Sequence, residues 1–329
     1  MEIDSPTRAE SVLSNVARRL SLRDYFPILL LVVLIAFFSL SSPRFFTVQN
    51  LFIVLQQSVT LLVVALGMTF VIIGGSIDLS VGSIVGLAAL AAAATSAELG
   101  VLAIFPAALV GMICGLINGV IFAKGKVPSF MVTLGTLVAY RGIVLFFTQG
   151  APISITNRDF LNLYSGRVAG PNTLPNSVIF ALIITAIVFI IFNYTVFGRK
   201  VRAIGGGERV ALLTGIKVDR VKIMMFTMLG LLCGLAGLLQ SARVFAATAQ
   251  LGANLELDAI AAVVVGGTPL TGGVGSIQGT IIGALVTTIL SNGMNMMGVD
   301  PYLQNIIRGV VLIAAVFITI DRSKIGIIK

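Results

Sequence analysis

Apolar residues run through this chain in long unbroken blocks and do not alternate with polar ones. A membrane-spanning helix needs roughly 20 mainly apolar residues, whereas a lipid-facing strand alternates with period two, so the blocks predict helices and not a barrel. Helices are expected near Phe26–Leu40, Leu51–Ile73, Leu79–Ala97, Val101–Ala123 and Ser129–Phe147. The second half adds Ser177–Tyr194, Val221–Gln240, Leu257–Val265, Ile277–Met297 and Leu303–Ile320. The predicted architecture is all-α: a polytopic transmembrane bundle of about ten spans. The Leu257 run is too short to cross alone, and Leu79–Ala97 is rich in glycine and alanine, so both are candidates for broken or tilted helices.

Composition removes the soluble alternative. Hydrophobic residues make up 57% of the chain, charged residues 11%, and the mean hydropathy is +1.06. That leaves too little polar surface to face water. The net charge of +9 points to topology and not to nucleic acid, because the bases cluster between apolar runs. With the N-terminus inside, Arg8, Arg18, Arg19, Arg23, Lys124, Lys126 and the bases of residues 199–222 fall on the cytoplasmic side, with Arg322, Lys324 and Lys329. Only Arg44, Arg158, Arg167 and Arg243 fall outside, which predicts an even number of spans with both termini cytoplasmic. Residues 1–25 carry both charge signs and no apolar core with a cleavage site, so they predict a cytoplasmic tail and not a cleaved signal. Residues 26–329 form the transmembrane domain.

Several chemistries are excluded. The chain has no histidine, so imidazole serves neither as base nor as metal ligand. Cys114 in GMICGLING and Cys233 in GLLCGLAG lie in separate apolar segments and read as small buried hydrophobes, giving no disulfide or metal site. Serine and threonine are plentiful, but none has a recognisable activating base, so no catalytic residues are expected. The acids Asp78, Glu98, Asp159, Glu256, Asp258 and Asp300 fall at span ends or in loops, which disfavours a proton-coupled secondary transporter of a small polar solute; sodium held by backbone carbonyls stays open.

Two interruptions share almost the same wording. GGSIDLSVGSIVG (Gly74 to Gly86) and GGTPLTGGVGSIQG (Gly266 to Gly279) repeat the phrase VGSI-x-G at cytoplasmic turns. Gly74, Gly75, Gly266 and Gly267 permit close backbone approach and positive φ, while Asp78, Ser80 or Thr271 are expected to cap the following helix. Two readings stand together: tightly packed turns, or broken helices marking a transport path and its gate.

Between the sixth and seventh runs lies FGRKVRAIGGGERVALLTGIKVDRVK, residues 197–222. Glu208 to Leu213 forms a short helix-compatible run after a glycine triplet and before Thr214 and Gly215. Such a helix suits docking into a groove of a soluble partner, and equally a basic loop that only fixes topology. Polar residues inside the spans are costly unless they face a cavity or one another. Gln56, Gln57, Asn118, Arg141, Asn292, Asn295, Gln304, Asn305 and Arg308 are therefore the candidate path residues. Each has a plainer role available: Arg141 bonding helix-end carbonyls, Arg308 reaching headgroups, and the amides bonding between helices.

The wording of four segments carries a resemblance. GMTFVIIGGSIDLSVGSIVG, PSFMVTLGTLVAYRGIVLFFTQGAPI, FGRKVRAIGGGERVALLTGI and ELDAIAAVVVGGTPLTGGVGSIQGTIIGAL, followed by NGMNMMGV, occur in the order seen in ribose-type monosaccharide permeases of bacterial ABC importers. The chain is similar to that binding-protein-dependent inner-membrane component family from about Leu51 to Phe317. Gly207, Val210 and Ser76 depart from the family's usual Asn, Ala and Gly. The resemblance implies a type II ABC importer-like, multi-pass protein of the bacterial inner membrane. It also implies a partner ATP-binding subunit that holds ATP and Mg, a periplasmic sugar-binding protein, and a second permease copy, within membrane lipid. No cofactor is expected in this chain itself, which lacks a G-x-x-x-x-G-K-[ST] phosphate loop. Gly205, Gly206, Glu208, Arg209, Ala211, Leu212 and Gly215 are then the implied ATPase-coupling positions, with Glu208 and Arg209 orienting and Ala211 and Leu212 buried in the contact. Related permeases for branched-chain amino acids share the pattern and remain an alternative.

Overall fold

The computed structural model describes residues 22–167 and 173–319. Most of the expected N-terminal tail lies outside the described residues, as do Arg8, Arg18, Arg19, Arg322, Lys324 and Lys329, on which the inside assignment of both ends partly rests. Among the described residues the helices are α1 (Leu22–Ser41), α2 (Val48–Ile73), α3 (Val81–Leu99), α4 (Ile104–Gly125), α5 (Ser129–Thr148), α6 (Arg158–Ser165) and α7 (Asn176–Tyr194). They continue as α8 (Val196–Gly206), α9 (Glu208–Leu213), α10 (Val218–Val244), α11 (Leu255–Val265), α12 (Ile277–Met296) and α13 (Pro301–Thr319). A two-residue antiparallel pair, β1 (Ile153–Ser154) with β2 (Ala246–Ala247), ties the α5–α6 connection to the end of α10.

Each of the ten apolar runs is helical. Six segments are long and apolar enough to cross a membrane, with α3 and α4 counted as one 45-residue stretch because a 3-10 turn at Gly100–Ala103 joins them. α1 and α13 contribute shorter apolar stretches, Tyr25–Ser41 and Pro301–Phe317, and α11 has 11 residues, as its short run foretold. Two helices were not anticipated. α6 starts where the Asn157 side chain accepts the Phe160 amide at 3.0 Å. α8 extends through Gly205 and Gly206, so these glycines lie within a helix and the break falls at Gly207 alone.

The centre of the bundle is α2 with α10. Val63 to Ile73 of α2 are buried almost without remainder, so this helix meets protein on all sides while α1, α5 and α7 keep broad apolar faces exposed for lipid. The two cysteine-bearing phrases lie in separate helices, as expected, and pack against one another across the contact between α4 and α10, with both cysteines buried and free. A Cβ on Gly115 would stand 2.2 Å from the Phe226 carbonyl oxygen, and one on Gly230 would stand 2.2 Å from that of Gly111. Lipid tails are as apolar as leucine, so helices in a bilayer associate by close packing, and small residues are what permit it.

Gly230→Val should therefore force α4 and α10 apart at a point where the neighbour is backbone and cannot move aside. Overpacking usually costs ~1–3 kcal/mol, and a sharp loss of monodisperse protein on detergent size-exclusion chromatography is expected. Gly135→Val on α5, where an added Cβ meets nothing within 4 Å, should leave the elution profile unchanged.

Candidate functional site

The two glycine junctions end their helices in the same way. Gly75 (φ +77°) donates to the Ile72 carbonyl and Ser76 to that of Val71, both at 2.9 Å; Gly267 (φ +91°) donates to Val264 at 2.9 Å and Thr268 to Val263 at 3.2 Å. This pair of bonds is the Schellman closure, whose left-handed residue favours glycine. The repeated VGSI phrase then serves two different purposes. In the first copy it lies within α3, where Ser83 Oγ donates to the Leu137 carbonyl at 2.8 Å. In the second, Ser276 is the N-cap of α12 and accepts the Gly279 amide at 3.0 Å. The cap expected of Thr271 thus belongs to Ser276, which sits directly before the helix while Thr271 lies five positions upstream.

Asp78 does not cap α3 directly but orders the residue that begins it. Its Oδ1 accepts from the Ser80 amide at 2.7 Å and from Ser80 Oγ at 2.6 Å. Asn118 of α4 donates to Ser80 Oγ at 2.8 Å, and Tyr140 of α5 donates to Asn118 Oδ1 at 3.1 Å. Asp78, Ser80 and Asn118 are all 0% exposed, so Asn118 lies in a sealed network joining three helices. Burial pushes the Asp78 carboxyl in this connection above its ordinary pKa, while the bonds from Ser80 and Asn118 pull it down.

The junctions touch one another and α8. The Gly273 amide donates to the Ile73 carbonyl at 2.8 Å, which joins the end of α2 to the second junction. Gly205 of α8 packs into the same spot: a Cβ there would come within 1.7 Å of the Ile73 oxygen and 2.5 Å of the Gly273 nitrogen. Arg202 fixes the other side of α8, donating to the Phe192 carbonyl at 2.8 Å while its guanidinium lies 4.3 Å from the Phe192 ring centre.

The short helix α9 is present as expected, but its faces are distributed differently. Ala211 is only 2% exposed; its place is against the bundle, so it cannot be buried by an outside partner. The exposed apolar positions are Val210, Leu212 and Leu213. Arg209 and Gly215 are also exposed, whereas Glu208 is engaged within the segment, accepting Lys222 Nζ at 2.8 Å on both oxygens.

The remaining candidates divide by environment. Asn292 forms a reciprocal amide pair with Asn50 at 3.1 and 3.2 Å and holds α12 to α2. Arg141 donates to the Ala249 carbonyl and, at 3.2 Å, to that of Leu251, tying α5 to the loop before α11. Gln56 bonds the Tyr164 carbonyl at 3.4 Å. Gln57 and Asn295, by contrast, line a cavity of ≈ 540 Å³ together with Thr60, Gln240, Thr287, Thr288 and Ser291. Gln304 stands behind it, donating to Asn295 Oδ1 at 2.8 Å, and Asn305 lines a neighbouring hollow of ≈ 240 Å³. Arg308 and Asp258, 3.9 Å apart, border both. The α12 hydroxyls were missed in the sequence, although Thr287, Thr288, Ser291 and Asn295 recur at the three-to-four spacing of one helix face. From Gln57 to Ile73 is sixteen residues of α2, about 24 Å at 1.5 Å per residue, so the cavity lies at the opposite end of the bundle from the junctions.

Residues 50–316 match the family described as branched-chain amino acid transport system / permease component. The chain belongs to that family. It is 41% identical over 297 residues to the ribose import permease protein RbsC of Escherichia coli (strain K12), covering 89% of this chain and 92% of that one. It is 41% identical over 302 residues to RbsC of Bacillus subtilis (strain 168), covering 91% and 92%. The xylose transport system permease protein XylH of Haemophilus influenzae is 34% identical over 370 residues, covering 93% and 98%. No solved structure matches the chain. As a permease component the protein is a membrane transport subunit and not an enzyme, and the resemblance to ribose-type permeases is borne out.

Because Gly205 is seated against backbone, Gly205→Ala should displace α8 from the permease's two junctions. A drop in apparent Tm of the purified permease, equivalent to ~1–3 kcal/mol, is expected by differential scanning fluorimetry. Gly206→Ala, whose Cβ meets nothing within 4 Å, should melt with the parent protein.

Proposed function

We propose that this permease is the membrane-spanning subunit of an ATP-driven, binding-protein-dependent importer for a monosaccharide or related polyol in the bacterial inner membrane. Ten helices cross or enter the bilayer, with both termini in the cytoplasm. A separate subunit binds ATP and Mg and docks on residues 197–222, a periplasmic sugar-binding protein delivers the solute, and a second copy of this chain completes the pathway. The observation that carries the reading is the seating of Gly205 against Ile73 and Gly273. A push on α8 and α9 from a cytoplasmic partner would reach both helix junctions through backbone contact, without an intervening flexible side chain. Sugar specificity follows the relatives, whose names give ribose, xylose and galactose/methyl galactoside. The family description alone would favour a branched-chain amino acid.

Docking of the partner rests on Val210, Leu212 and Leu213, with Arg209 supplying orientation. Leu213→Asp combined with Val210→Asp should abolish co-purification of an ATP-binding subunit from native membranes while leaving the amount of membrane-inserted permease unchanged. Ala211→Asp, which buries a charge inside the bundle, should reduce the permease itself. Full recovery of the ATPase with the double variant would remove α9 from the docking surface.

A further inference from the structure

The cavity between α2, α10 and α12 differs in chemistry from the rest of the molecule's interior. Other polar side chains in the bundle are engaged with protein in closed sets, as in the Asp78–Ser80–Asn118–Tyr140 network and the Asn50–Asn292 pair. Here the hydrogen-bonding capacity is directed into open space. Thr287, Thr288 and Ser291 return their protons to the carbonyls of Gly283, Ala284 and Thr287 at 3.0, 2.8 and 3.0 Å. A hydroxyl has two lone pairs, so each oxygen remains an acceptor toward the cavity. On the α2 and α10 walls, Gln240 Oε1 accepts Thr60 Oγ1 at 3.0 Å, which turns the donating end of that amide elsewhere. Gln57 lines the same space with both a donor and an acceptor. The cavity also contains the Asp258–Arg308 pair, whose opposite charges stand 3.9 Å apart and largely offset one another, and Arg243, which lines it as well, so its charged groups are two bases and one acid.

We infer that this cavity is a solute-reading site of the permease itself, built for a neutral, polyhydroxylated molecule. Acceptor hydroxyls on α12 share the cavity with the amides of Gln57 on α2 and Gln240 on α10, a mixed set that a ring of sugar hydroxyls satisfies because each hydroxyl both donates and accepts. The inference rests on the importer reading above and adds to it that selection does not end with the binding protein. A site built to hydrogen-bond hydroxyls discriminates strongly against solutes that lack them, since its polar groups would be left unpaired.

The test variants remove solute-facing polarity without removing a contact between helices, because the three α12 hydroxyls bond only their own helix. The permease is reconstituted in proteoliposomes with its ATP-binding subunit and its binding protein. Uptake of [14C]ribose, [14C]xylose, [14C]gluconate and [14C]leucine is then measured per ATP hydrolysed. In the triple variant T287V/T288V/S291A, and separately in Gln57→Leu on the opposite wall, ribose or xylose delivered per ATP should fall about fivefold or more, the factor lost with roughly one net hydrogen bond. Sugar uptake per ATP unchanged in both variants would overturn the solute-reading site while leaving the importer reading intact. A parent protein that carries gluconate in preference to the neutral sugars would overturn the neutral class. ATP-driven uptake of leucine with no sugar transport would overturn the monosaccharide reading itself, and the site with it.

Discussion

The structure depends on one constraint: a helix that breaks in a packed bundle frees backbone groups at its end, and those that are buried must find their partners within the protein. α2 and α11 both break, and both close with the same two bonds around a glycine at positive φ. What remains is satisfied between elements. The Ile73 carbonyl accepts the Gly273 amide of the other junction, and the start of α3 is held by Asp78 through Ser80, with Asn118 and Tyr140 behind. The repeated glycine wording therefore reflects a shared backbone solution. The chemistry around the two junctions differs, because one is followed by a buried carboxylate and the other by a serine cap.

That constraint also explains why α8 is tied so directly to the interior. The end of α2 can be approached only where side chains are absent, and Gly205 is the residue through which α8 makes the approach. A bulkier residue would separate α8 from the junctions and leave the Ile73 and Gly273 groups less well enclosed. The same absence of side chains makes the contact stiff in compression, since backbone atoms already at contact distance have no rotamers to absorb a displacement. Away from the junctions, α4 and α10 meet through Gly111, Gly115 and Gly230 in the same manner. α4 and α10 thus form a rigid glycine-packed pair, and α8 makes a second glycine contact against the two junctions.

Much of this was legible in the sequence. Run lengths located all ten apolar helices, and the short Leu257 run correctly announced an 11-residue helix. The Gly-Gly pairs marked both breaks, since glycine is the residue a left-handed helix end favours. Less accessible was which face each position would turn. The resemblance implied Ala211 as a docking residue, yet it is the position of α9 turned inward, while Val210, Leu212 and Leu213 are exposed. Asn292 and Asn295 seemed equivalent candidates three residues apart, but three residues rotate a helix by about 300°. That offset is enough to aim one amide at Asn50 and the other into the cavity. Serine and threonine hydroxyls stood out as caps but not as cavity lining, because they are cheap in any helix, where they bond back to the preceding turn.

The back-bonded hydroxyls bear on how a polar cavity can exist in so apolar a molecule. A carboxylate or amide left open in a membrane interior carries a large desolvation cost, and the bundle answers it by pairing such groups with protein. Threonine and serine satisfy their donors within their own helix and still offer lone pairs, so a wall of them is polar toward a solute at little cost to the fold. Since Thr287, Thr288 and Ser291 need no partner from another helix, α12 can shift against α2 and α10 without leaving a donor unpaired. A surface of this kind stays wettable throughout such a movement, whereas the Asn50–Asn292 pair on the same helix would have to break. Sliding of α12 along α2 is therefore opposed at two separate levels, by the Asn50–Asn292 pair and by the Thr69–Thr280 hydroxyl contact at 2.7 Å, and not by the cavity-lining hydroxyls between them.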